Sequence, residues 1–285
     1  MRTLRRGLTR KLPHMSIENV SITDAEFGRF RALLHKIAGI SLSDAKKGLL
    51  TGRLNKRLKY YDLGSYSEYF RLVSSGREEA ELQMMVDLLT TNETYFFREE
   101  KHFEFLSGQV LPKHKPGVAF NLWSAACSSG EEVYTLAMLL AEHFGLQGSW
   151  TVTGSDISRR MLAAAEQGLY PLERAKGIPP ALLSKYCLKG VRSQEGMLLV
   201  DPGLRKHTRF RQVNLNDELP ELGPFDVIFL RNVMIYFEAE TKRDVVGRLV
   251  RQLKPGGYFI VGHSESLNGL TDTLRAVHPT IYMKP

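Results

Sequence analysis

The chain has 285 residues, 43% of them hydrophobic, and a formal net charge of +8, which suits a globular protein of one large domain plus a smaller one. No apolar run reaches the roughly 18 residues of a membrane span. The two cysteines, Cys127 and Cys187, are too few for a disulfide framework or a cysteine metal site and fit a reducing cytosol.

The first segment, residues 1–15, is basic and lacks the apolar centre of a signal peptide, so it reads as a disordered extension or tag, with Met15 as an alternative start. Five cationic residues fall in its first 11 positions, so the rest of the chain is less basic than the total implies. Residues 16–91 read as a small all-α domain. Thr23 or Asp24 caps a helix that ends at Ala38, before Gly39. Ser43 caps a second helix, Asp44 to Tyr61, and Ser65 starts a third, Tyr66 to Val73. A fourth runs from Arg77 to Leu89. The second helix carries a strongly basic face that includes Lys46, Arg53, Lys56 and Arg57. Lys46, Arg53 and Arg57 are spaced seven and four apart, which places them on one side. Such a face is either a solvated surface or a docking surface for an acidic partner.

Residues 92–117 break the helical pattern and read as a linker or lid. Three consecutive aromatics, Tyr95, Phe96 and Phe97, make it too apolar for a free tether. It is either a hinge packed between domains by those aromatics or a lid that puts Asn92, Thr94 and Arg98 over a pocket of the following domain, residues 118–285.

That domain opens with an apolar strand, Val118 to Trp123, then a turn of small residues, Ser124 to Gly130, then a helix from Glu131. Strand, tight turn and helix present backbone N–H groups to a ligand in an α/β sheet. The turn has one glycine and no lysine, and its helix starts with Glu131 and Glu132, so a phosphate would be repelled. The ligand expected there is neutral or cationic. Trp150 to Gly154 is a second strand ending at Ser155-Asp156, where an acid accepts hydrogen bonds from ribose hydroxyls. Ile157 to Gln167 follows as a helix, and Tyr170 to Lys189 as an irregular stretch. An antiparallel β sub-domain is expected at about 188–210, with short strands at Met197 to Val200 and His207 to Phe210. Its edges could pair with an extended peptide. Arg211 to Asn214 reads as the third main-sheet strand and Phe225 to Leu230 as a central fourth. Arg231, Asn232 and Tyr236 follow it, where such sheets carry functional residues. A helix from Thr241 to Leu253, a turn at Lys254 to Gly257, a strand from Tyr258 to Val261 and a closing antiparallel strand, Ile281 to Met283, complete the chain. The layout resembles a Rossmann-like class I methyltransferase sheet with an inserted antiparallel β sub-domain, preceded by the all-α domain.

Five motifs stand in order: NETYFFR at 92–98, WSAACSSGEE at 123–132, GSDIS at 154–158, RNVMIYF at 231–237 and LKPGGYFIVGHSES at 253–266. On these the chain resembles the CheR family of chemotaxis receptor glutamate methyltransferases, over roughly residues 20–284. The resemblance implies S-adenosylmethionine as cofactor, S-adenosylhomocysteine as product, and methyl transfer to glutamates on the cytoplasmic helical domain of membrane chemoreceptors. It implies that Asn92, Thr94 and Arg98 close over the cofactor and that Glu131 meets its amino-acid part. Asp156 and Ile157 then meet ribose and adenine, Asn214 and Leu215 the adenine side, and Arg231, Asn232 and Tyr236 the neighbourhood of the methyl group. Arg98, Arg231 and Tyr236 are the catalytic candidates, with Arg231 alternatively a structural ion-pair residue. Lys46, Arg53, Lys56 and Arg57 are the substrate-docking candidates. A cytoplasmic monomer recruited to receptor arrays is expected, without metal, nucleic acid or membrane insertion. A receptor C-terminal peptide is a candidate ligand of the β sub-domain, although Val191-Arg192 stands where tail-binding members carry another glycine. Two rival classes are a nucleic-acid methyltransferase and a non-catalytic sensor. RNVMIY lacks the prolines of the motif that holds a flipped base, which counts against the first. No motif position is lost, which counts against the second.

Overall fold

The computed structural model describes residues 20–285. The expectations for the basic extension lie outside these residues.

Four helices form the first layer: α1 (Asp24–Ala38), α2 (Lys47–Tyr60), α3 (Tyr66–Ser74) and α4 (Glu79–Leu89). Thr23 and Glu26 cap α1 reciprocally, each side chain taking the other's backbone N–H. The second oxygen of Glu26 accepts from Ser67 N and Oγ at 2.8 and 2.7 Å, so the cap also ties α1 to α3. The second helix starts later than expected. Residues 44–46 form a tighter 3₁₀ turn, and the Ser43 side chain makes no cap bond. Inside the bundle, Glu81 accepts from Arg57 Nε at 2.8 Å and from the hydroxyls of Tyr69 and Tyr61 at 2.6 and 3.1 Å.

The linker holds a short helix of its own, α5 (Lys101–Phe105), continued by a wider π turn over Leu106–Val110. Then follow β1 (Phe120–Ser124), α6 (Glu131–Phe144), β2 (Trp150–Asp156), α7 (Arg159–Gln167), β3 (Leu169–Pro171), α8 (Pro180–Tyr186), β4 (Cys187–Lys189), β5 (Met197–Val200), α9 (Pro202–Arg205) and β6 (Thr208–Gln212). The chain ends with β7 (Phe225–Leu230), α10 (Ala239–Arg251), β8 (Leu253–Val261), β9 (Arg275–His278) and β10 (Ile281–Met283). The main sheet has seven strands in the order β6-β2-β1-β7-β8-β10-β9. The first five pair in parallel, and β10 runs antiparallel to both of its neighbours.

Both sheet faces are buried. Trp123, Ile228, Leu230, Phe259 and Val261 face α10 and a core continuous with the helical bundle, whereas Leu122, Val227, Phe229 and Ile260 face α6 and the linker helix. This two-sided burial is why FDVIFL reads as an unbroken apolar run rather than an alternation.

The β sub-domain differs from expectation. It is a three-stranded antiparallel sheet, β3-β5-β4, drawn from residues 169–200. Its first strand lies in the stretch read as irregular. The strand expected at His207 to Phe210 belongs to the main sheet: β6 pairs in parallel with β2, Thr208 opposite Val152. Its register starts three residues before Arg211, so Asn214 lies beyond the strand, in the loop that reaches the site. Lys254–Gly257 is the irregular first half of β8 rather than a turn before it. The strand β9 was not expected; its exposed, polar sequence RAVH lacks an apolar signature.

Candidate active site and cofactor cavity

The carboxyl ends of β1, β2 and β7 face the helical bundle and the lid, and a cavity of about 380 Å³ opens between them. This is where an open α/β sheet places a ligand. Two glycines shape it. Gly130, at φ 93°, ends the β1 turn and starts α6; a Cβ there would meet Ala165 Cβ at 2.8 Å. Gly39, at φ 69°, ends α1 and sends residues 40–43 across the mouth of the cavity. That strap is pinned by a bridge between Ile40 and Phe237 and by Ser41 N–H donating to the Tyr236 carbonyl at 2.8 Å.

The β1 turn is held from both sides. Ser128 donates its N–H to Asp156 Oδ2 at 2.8 Å and its hydroxyl to the Asn92 carbonyl at 3.0 Å. The other Asp156 oxygen accepts from Ser158 N–H at 2.9 Å. Burial pushes the Asp156 carboxyl up, and these backbone donors oppose it. Each oxygen keeps a lone pair for a hydroxyl donor inside the cavity.

The lid docks through Arg231. Its guanidinium donates to Glu132 Oε2 at 2.7 Å, to Glu99 Oε2 at 3.0 Å and to the Arg98 carbonyl, and it lies over the rings of Phe103 and Phe229. Asn232, at φ 57°, donates its side-chain amide to Glu99 Oε1 at 3.0 Å and its N–H to Glu265 Oε2 at 2.8 Å. Burial alone would raise the Glu99 carboxyl, but the Asn232 amide and the Arg231 guanidinium outweigh it and hold Glu99 at about 2. Arg98, by contrast, spends one guanidinium nitrogen on the Glu93 carbonyl, at 2.7 Å, and lies beside Tyr95. Its other donors have no protein partner among the described residues.

Asn92, Thr94, Arg98, Asp156, Ile157, Asn214, Leu215, Arg231, Asn232, Tyr236 and Lys46 all line the cavity. Glu131 does not. It is fully buried behind the turn, where it accepts from Ser129 Oγ at 2.7 Å and pairs with Arg174 at 2.8 Å. Its neighbour Glu132 is the acid on the cavity wall. On a helix, adjacent residues point about 100° apart, so only one of the two acids can face the ligand. Arg53, Lys56 and Arg57 lie away from the cavity. Arg57 is bound to Glu81, so its charge is paired inside the bundle, whereas half-buried Arg53 donates one nitrogen, Nη1, to the carbonyls of Leu88 and Thr90 at 2.9 and 2.7 Å. Lys46 and Lys56 are exposed. The sequence reading missed the strap of residues 40–43, which carries no chemical motif. It also missed Glu99 and Glu265, whose acids are recognisable only once the lid is folded onto β7.

Comparison with known proteins agrees with this architecture. Residues 92–283 match the family model described as CheR methyltransferase, SAM binding domain, and residues 25–90 match the CheR methyltransferase all-alpha domain. The chemotaxis protein methyltransferase of Salmonella typhimurium is 37% identical over 278 residues, covering 97% of this chain and 95% of its own length. That of Escherichia coli K12 is also 37% identical over 278 residues, covering 97% and 96%. Chemotaxis protein methyltransferase 1 of Pseudomonas aeruginosa is 40% identical over 268 residues, covering 90% and 96%. With both domains matched and such relatives along nearly the whole length, the chain belongs to the CheR methyltransferase family and is an S-adenosylmethionine-dependent methyltransferase of chemotaxis.

Proposed function

We propose that the chain methylates glutamate side chains on the cytoplasmic helical domain of chemoreceptors, giving methyl esters. The observation that carries this reading is Arg98. It is a cavity-lining cation with guanidinium donors left over, beside the ring of Tyr95, in a cavity that Lys46 also lines. A carboxylate is the group such a fork holds with two parallel hydrogen bonds.

The cavity suits S-adenosylmethionine. Asp156 offers acceptor lone pairs at the end of β2, Ile157 and Leu215 offer apolar surface, and Glu132 places an anion where an ammonium or sulfonium would be favoured. When bound, this cofactor supplies an electrophilic methyl group on sulfur. The rest falls to the chain's own residues. A glutamate with a reference pKa of about 4.3 arrives ionised, so no general base is needed. Arg98 orients it, Tyr236 lines the approach, and the lid and strap exclude water. Positioning of this kind supplies on the order of 7–11 kcal/mol. Arg231, with its donors committed to Glu99, Glu132 and the Arg98 backbone, acts on the reaction through the lid rather than by touching substrate.

The same reading places the enzyme in the cytoplasm, as a monomer recruited to receptor arrays. No described helix is long and apolar enough to cross a membrane. The free edge of β4, with Leu188 about half exposed, is the surface to which a receptor C-terminal peptide would add.

The test is transfer of labelled methyl to receptor-bearing membranes and, in parallel, to RNA. Base-labile label on the receptor alone is expected; label on RNA, or on neither, overturns the reading. Arg98→Ala should lower turnover on receptor more than it lowers cofactor affinity, and equal losses would make Arg98 a cofactor-binding residue only.

A further inference from the structure

Beneath the lid, on the side of Glu99 away from the cavity, two imidazoles meet. His102 is buried at 1% exposure, and its ring lies 4.8 Å from that of His263, edge to face. His102 Nε2 contacts Thr280 Oγ1 at 2.7 Å, and that hydroxyl donates to the Pro279 carbonyl at 2.6 Å. The hydroxyl proton is therefore committed, and Nε2 must be the nitrogen that carries the ring proton. This leaves Nδ1 as a lone pair. It has no hydrogen-bond partner and stands 3.6 Å from Glu99 Oε2, beyond hydrogen-bond reach. A buried acceptor thus faces a carboxylate with no donor between them, an arrangement a cation would relieve.

Three ligand atoms, one each from Glu99, His102 and His263, lie within 4.8 Å of one another. Bonds of about 2.0–2.2 Å to a shared tetrahedral centre put ligand atoms roughly 3.3–3.6 Å apart, so side chains spread over as much as 4.8 Å would close in on the ion. Glu99 Oε2 already accepts from Arg231 and from the His263 N–H at 3.1 Å, and Oε1 from Asn232, so the lone-pair site left is on Oε1, and the carboxylate would have to turn it toward an ion. The guanidinium of Arg231 opposes a second cation, but Glu99 and Glu132 together outweigh it by one negative charge.

We propose that Glu99, His102 and His263 form a binding site for a divalent transition metal of the zinc class, fastening the lid to the loop after β8. Two imidazoles and a carboxylate are the donor set zinc takes, with a fourth position open to water at the exposed His263 side. Bound there, the ion would share Glu99 with Asn232 and Arg231. Metal occupancy would thereby bear on how firmly the lid is held over the cavity.

The test is titration of untagged full-length protein with zinc chloride by calorimetry, which reads binding independently of methyl transfer. One equivalent is expected to bind. His263→Ala, at an exposed position, should weaken binding at least about tenfold, as should Glu99→Gln. His143→Ala, an exposed histidine elsewhere, should bind as wild type does. The absence of saturable binding, undiminished binding by His263→Ala or Glu99→Gln, or equal loss in His143→Ala overturns the site.

Discussion

Two arginines anchor the two halves of this molecule, in opposite ways. In the helical bundle, Arg57 meets Glu81 alone, and two tyrosine hydroxyls fill the remaining lone pairs of the acid. All of these residues lie within one domain. At the sheet ends, Arg231 meets two acids, one from the lid and one from α6, plus a lid carbonyl. The first hub is neutral and closed. The second carries an excess negative charge and joins three segments far apart in the chain. A closed hub fixes a fold. An open one, which must be assembled when the lid docks, links the fold to what happens in the cavity.

The sharpest break of this contrast is Glu81→Ala. It strands Arg57, and removing one partner of a buried pair costs about 3–5 kcal/mol. Arg57 is one-fifth exposed, so the lower end, near about 3 kcal/mol, is expected. Denaturant melts measure this, while methyl transfer per folded molecule should stay unchanged. A pH series adds a signed check. Burial pushes the Glu81 carboxyl up, but Arg57 and Tyr69 outweigh it and leave it lowered. The stability it contributes is present above the ordinary carboxylate range and is lost as pH falls toward the folded value. The stability gap between wild type and Glu81→Gln should therefore narrow below about pH 4.

Arg231→Ala should cost a similar amount, about 3 kcal/mol, because the two acids it strands, Glu99 and Glu132, are only 13% and 14% exposed. Unlike the first variant, it should also lower turnover, since the lid loses its anchor. Full turnover in folded Arg231→Ala protein would erase the distinction between the two hubs.

Asp156→Ala separates binding from both. It should weaken S-adenosylmethionine by about 1.5–3 kcal/mol, the range for hydrogen bonds to a charged group. Unchanged affinity by calorimetry in a folded variant would remove Asp156 from the site.

The same contrast explains what could be read from the sequence. The bundle is local: Thr23, Glu26, Gly39 and the apolar spacing of α1 signal their own structure within a few residues, and the bounds of that helix came out as expected. The parallel strands announced themselves by apolar runs between helices. The ends of β1, β2 and β7 then followed from the rule that such sheets bind ligands there, which located Asp156, Arg231 and Asn232. The choice between Glu131 and Glu132 depends on a rotation that neither composition nor motif order specifies. The pairing of β6 with β2 rather than with its sequence neighbours is a long-range contact, and short strands of three to five residues carry little pattern of their own. The basic face of α2 misled for a related reason. Charge count alone does not distinguish a free cation from one whose acid lies 24 positions away, as Glu81 does for Arg57.

That leaves the smallest effect, at the exposed lysines. With Arg57 paired to Glu81 and half-buried Arg53 tied by one nitrogen to two backbone carbonyls, the exposed Lys46 and Lys56 are the foremost docking candidates of α2 and its lead-in turn. An acidic receptor helix would meet them in water, where each exposed contact is worth about 0–1 kcal/mol and is screened by salt. Their main contribution should be to the encounter rate. Lys46→Ala with Lys56→Ala should raise the apparent Michaelis constant for receptor by a few-fold at low ionic strength, leave cofactor affinity untouched, and converge on wild type as salt rises. Arg53→Ala should behave differently. It loses the hydrogen bonds to Leu88 and Thr90, so its defect should appear as lost stability that salt does not mimic. If Arg53→Ala instead reproduces the salt-sensitive receptor defect while melting like wild type, the guanidinium leaves those carbonyls to meet the substrate. The boundary drawn between structural and docking cations would then be wrong.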